Sequence, residues 1–202
     1  MPLVFRREPP EVAETVKIGL NRMASGRAFS TPRLARTIKE RPTPPVPSQA
    51  LPVYNIGLTD LAKSRDLTAA VQTSWRYLLR HDNEVIASAD AVVGPDRKPA
   101  FAQVNEGPLV GGTVRAIQTA DAQEEVKKGK YEVRLLMVPA LYTAALWLVD
   151  TTGGRDLAVP LDPAPPPLIA NKLISAKELL LVLQEAAKAA LAARPAGEPI
   201  GT

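Results

Sequence analysis

The stretch LLMVPALYTAALWLV, Leu135 to Val149, is fifteen residues without a charge in a chain of which 23% is charged. It can be a membrane span, a buried helix or sheet. A spanning helix needs about 20 apolar residues, and Pro139 would break a helix near its start. The flanks favour sheet. YEVRLLMV, Tyr131 to Val138, mixes β-branched and aromatic residues with Glu132 and Arg134. After Val149, DTTGG is a turn signal and RDLAVPL a short β-like run. The reading is strand, bend at Pro139, strand, hairpin turn near Gly153–Gly154, strand. Leu141 to Val149 is apolar on both faces, so it belongs in the centre of a sheet covered on each side. Leu146, Trp147 and Leu148 are therefore expected in the core, and no membrane segment is expected.

Working outward, residues 54–194 read as one globular domain. Leu67, Val71, Trp75 and Leu78 fall at helical spacing and predict a helix with a buried stripe. EVIASADAVV and AFAQVNE predict strands joined by the turn GPDRKP. GPLVGGTVRAIQTADAQEEVKKG predicts a helix opened by Pro108, although Gly111 and Gly112 each cost it about 1 kcal/mol. SAKELLLVLQEAAKAALAAR begins with Ser175 and Glu178 at capping-box spacing. The order α-β-β-α-β-β-β-α, with hairpins joining most strands, predicts an α+β fold with a largely antiparallel sheet of about five strands. Residues 195–202 read as a flexible tail.

Residues 1–53 read differently, as a basic, proline-rich arm. They hold nine of the twenty prolines and nine Lys/Arg against four acids, whereas the remainder carries sixteen basic and seventeen acidic residues. Two short helical patterns occur: one aligns Val12, Val16 and Leu20, the other aligns Leu34 and Ile38 after Thr31 and Pro32. Isolated helices of that length are marginal in water. RPTPPVPSQALP then reads as an extended polyproline spacer. Short amphipathic helices on a stiff spacer predict docking to a protein partner. The expected contacts are Val12, Val16, Leu20, Arg33, Leu34, Arg36, Ile38, Lys39 and Arg41. Nucleic-acid association is the weaker alternative, because acids are interspersed and stacking aromatics are limited to Phe5, Phe29 and Tyr54.

The search for chemistry yields little. The absence of cysteine excludes disulfides, thiolate metal sites and cysteine nucleophiles, and fits a reducing, cytoplasmic setting. The sole histidine, His81, is expected at a helix C-terminus, with no G-x-S-x-G elbow near any serine. The candidate pocket is Asp90, inside an apolar strand, with Glu106 and the Gly107–Gly112 turn, which lacks a P-loop or dinucleotide fingerprint. No cofactor and no metal are expected. The favoured function is a non-enzymatic structural or adaptor component of a protein assembly. The alternative is a small-molecule-binding or catalytic domain built around Asp90 and Glu106.

Overall fold

The computed structural model describes residues 2–25, 36, 45–94 and 98–193. The uncharged stretch is sheet. β6 (Tyr131–Val138) bends through a 3-10 turn at Pro139–Leu141 into β7 (Thr143–Asp150), and β8 (Leu157–Pro160) returns after the Gly153–Gly154 turn. Tyr142, at φ 50, closes the bend in the left-handed region. Leu146, Trp147 and Leu148 are all buried.

Nine strands form one mixed sheet, so the fold is α+β, but with more strands than expected and not purely antiparallel. The others are β1 (Leu3–Val4), β2 (Val46–Asn55), β3 (Val71–His81), β4 (Glu84–Val93), β5 (Pro99–Asn105) and β9 (Ile174–Ser175). The spatial order is β5-β4-β3-β2-β6-β7-β8-β9, with β1 also on β6. β2 and β1 both run parallel to β6. The helices given bounds among the described residues are α1 (Pro10–Ser25), α2 (Leu58–Lys63), α3 (Pro108–Ala122), α4 (Glu124–Lys128) and α5 (Ala176–Ala192). The chain order among described residues is thus β-α-β-α-β-β-β-α-α-β-β-β-β-α rather than the expected α-β-β-α-β-β-β-α.

Two segments depart from the sequence reading. The spacer RPTPPVPSQALP contributes most of β2, which continues across the boundary drawn at residue 53. Pairing with β6 begins only at Val53, so Pro47 and Pro52 forfeit no ladder bond on that side. The stretch holding Leu67, Val71, Trp75 and Leu78 is a short helix, a 3-10 turn and then β3. Trp75 and Leu78 are buried as expected, but on opposite faces of a strand.

The sheet is covered on both faces, which is why its central strands read as continuous apolar runs. On one face Leu51, Val53, Val133, Leu135, Leu146 and Leu148 pack with Ala116 and Ala120 of α3. On the other, Leu136, Val138, Ala145 and Trp147 pack with α2 and α5. α1 covers the β3-β4-β5 end of that second face, where Val12, Val16 and Leu20 meet Trp75, Tyr77 and Ala89. α5 starts as its sequence indicates, with Ser175 Oγ accepting from the Glu178 backbone N–H at 3.1 Å.

Candidate functional site

Asp90 does not lie on a solvated face. It sits in β4 directly between Arg76 of β3 and Gln103 of β5 in the strand register. Arg76 donates to both carboxylate oxygens, Nε to Oδ1 at 2.8 Å and Nη2 to Oδ2 at 2.9 Å. Gln103 Nε2 and Asn105 Nδ2 donate to Oδ2 at 3.2 and 3.1 Å. The two charged side chains are 12% and 7% exposed. Leu51, opposite Arg76 on β2, belongs to the α3-side core, so this centre lies on the α3 face of the sheet. Three of these four donors fall on Oδ2 and one on Oδ1, so most of the carboxylate's accepting capacity is engaged by the sheet itself. Asp90 ties three strands together. Glu106 is not among the partners of Asp90; it is half-buried just after β5.

The Gly107–Gly112 turn is explained by packing. Gly107, at φ 130, precedes Pro108 at the first turn of α3. A Cβ on Gly112 would come within 2.7 Å of the Asp162 backbone oxygen, so this glycine lets the 162 segment lie against the helix. Arg115 fastens that contact with a 2.8 Å bond to Asp162 Oδ2.

His81 ends a strand, not a helix. It is 6% exposed, and its Nδ1 lies 3.8 Å from Asp82 Oδ2. An open cleft beside it is lined by Val46, Pro47, Ser48, Arg80, Asp82 and Asn83. No group of three or more His, Asp or Glu side chains placed to hold a metal occurs among the described residues. No described helix is long and apolar enough to cross a membrane.

The predicted docking residues divide. Val12, Val16 and Leu20 are at most 2% exposed and face the chain's own sheet. Arg36 is exposed. Arg33, Leu34, Ile38, Lys39 and Arg41 lie outside the described residues. Residues 26–44, the sequence between α1 and β2, contain five basic residues and one acid. The rest of the chain holds twenty of each, so this stretch accounts for the whole net charge of +4.

One arrangement was not anticipated from the sequence. The Arg134 guanidinium lies 4.8 Å from the Tyr54 ring centre and 4.9 Å from that of Trp147. The two rings meet edge to face at 5.7 Å. Glu132 accepts from Arg134 Nε at 2.7 Å, and Asp156 accepts from Trp147 Nε1 at 3.0 Å. Arg134 and Trp147 are direct cross-strand partners, so the alternation in YEVR and the Trp in the next strand were its visible signals. Tyr54 arrives from a strand far away in sequence. The cluster keeps a charged side chain on a largely buried face through cation–π contact. No family model, curated protein or solved structure matches this chain.

Proposed function

We propose that the chain is a non-enzymatic component of a protein assembly, docking through the basic segment between α1 and β2, residues 26–44. The observation that supports this most is the charge distribution. All of the net +4 falls in those nineteen residues, while the remaining sequence balances. The segment is flanked by α1, which ends at Ser25, and by β2, which begins at Val46. Its Leu34 and Ile38 supply apolar contacts that nucleic-acid binding would leave unused, which favours an acidic protein surface. The apolar stripe of α1 is committed to the sheet, so Val12, Val16 and Leu20 are not docking contacts in this reading. The hold of Arg76, Gln103 and Asn105 on Asp90 supports a framework role for the residue at the centre of the candidate pocket.

The test is reconstitution of a defined complex. Partners captured by the full chain would be purified and titrated against the wild type and against Arg33→Gln, Arg36→Gln, Lys39→Gln, Arg41→Gln combined. A stoichiometric complex weakened by that variant and by salt is expected. If every reconstituted complex is indifferent to both, the segment is not the docking element.

A further inference from the structure

β5 is the outermost strand of the sheet, and among the described strands nothing pairs with its outer edge. Such an edge offers a row of unpaired backbone donors and acceptors, which proteins commonly guard with charge. Residues 99–105, PAFAQVN, contain no charged side chain. Pro99 stands at the strand end, and the bulge at Ala102, between the Asp90 and Ala91 pairings, divides the edge into two short runs. The edge therefore suits brief pairing with one partner better than open-ended stacking.

α1 rides over this edge strand. Gly19 lies so close to Phe101 that a Cβ there would fall within 2.4 Å of ring atoms. The centre of the helix thus sits above the centre of the strand. One flank of α1 is closed, with Leu20 buried and Ala13 and Ala24 half-buried. The open flank carries exposed Glu11, Ile18 and Arg22 with half-buried Thr15 between them, spaced i, i+4, i+7 and i+11 as one stripe along the helix. Ile18 is 43% exposed. Neither Glu11 nor Arg22 makes an ion pair among the described residues. Read against an inverted copy of itself, the stripe sets Glu11 opposite Arg22 and Thr15 opposite Ile18.

We infer that β5 and the open flank of α1 form a two-fold interface with a second copy of this chain. β5 pairs antiparallel with its symmetry mate, and the two α1 helices lie side by side in opposite directions. A two-fold contact uses the same patch on both subunits, so the patch must complement itself. An uncharged strand does so, because every residue near the axis faces its own kind and a charge there would meet its like. A stripe acidic at one end and basic at the other does so when inverted. None of the residues argued for this surface belongs to 26–44, so it stands or falls apart from the docking reading.

Sedimentation velocity of the full chain over a dilution series tests it, alongside Ala102→Lys, Glu11→Arg, Arg22→Glu and the double reversal Glu11→Arg with Arg22→Glu. All three positions are exposed, and far-UV circular dichroism checks that the fold is retained. The wild type should sediment at twice its 21.7 kDa mass when concentrated and dissociate on dilution. Ala102→Lys and each single reversal should raise the dissociation constant about tenfold or more, since each places like charges together across the axis. The double reversal should restore it. A wild type monomeric at every soluble concentration would overturn the interface. So would a dimer that ignores Ala102→Lys, or one that ignores both single reversals.

Discussion

The Arg76 guanidinium grips the Asp90 carboxylate through two parallel bonds of 2.8 and 2.9 Å across neighbouring strands. With Gln103 and Asn105 completing the set, this pair bridges β3, β4 and β5 beneath the α3 face. Removing one partner strands a nearly buried charge. Asp90→Ala is expected to cost about 3–5 kcal/mol, measured by chemical denaturation. Arg76→Met with Asp90→Leu should recover most of that loss, because an apolar pair leaves no charge uncompensated. A double variant no more stable than Asp90→Ala would show that the polar network itself is required.

The adjacent glycines of α3 should respond in opposite ways. Gly112→Ala drives a methyl into the Asp162 backbone oxygen and should destabilise by about 1–3 kcal/mol. Gly111→Ala meets only the end of the flexible Arg115 side chain, at 3.1 Å. It should gain up to about 1 kcal/mol from helix propensity. Thermal unfolding of the two variants decides this; equal effects would mean that the 162 segment is not packed as described.

Leu146 is fully buried in the central strand. Leu146→Ala is expected to lose about 2–5 kcal/mol through lost transfer energy and the cavity left behind. An unfolding midpoint unchanged within error would contradict its place in the core.

Alkaline stability should report on Tyr77. Burial, with the nearby Glu8 carboxylate, raises its phenol pKa. The unfolded phenol ionises near pH 10, whereas the folded one holds its proton to higher pH. The folded state therefore binds more protons in that window, and stability falls as pH rises above about 10. Tyr131, also raised mainly by burial, adds to the trend. Tyr77→Phe removes the titrating hydroxyl while keeping the ring in the core. It should flatten the alkaline loss, which pH-dependent urea titrations would show.

Truncation at Val53 should not leave the domain read at residues 54–194 folded by itself. A chain beginning at Val53 lacks β1, α1 and most of β2, which lies between β3 and β6. It should fail to fold, with loss of cooperative unfolding in circular dichroism. Replacing only residues 26–44 by a glycine-serine linker of equal length should keep the core, testing the segment without removing the elements on either side.

What the sequence determined by itself was local. Pro139, the Gly153–Gly154 turn, Pro108 and the Ser175 cap bound their elements through backbone conformations or hydrogen bonds made within a few residues. β6, β7, β8, α3 and α5 were accordingly legible. The tertiary structure decided the rest. VQTSWRYLLR has no alternating pattern because β3 is covered on both faces, so Trp75 and Leu78 matched a helical stripe by coincidence of spacing. Pro47 and Pro52 masked β2, and only the delayed pairing with β6 makes them tolerable there. Asp90 stood visibly inside a strand, but its partners come from two other strands through a register that exists only once β3 is sheet. Val12, Val16 and Leu20 show the same division. Their spacing made one apolar face, and only folding chose what covers it, because hydrophobic burial is non-directional and does not name its partner in advance.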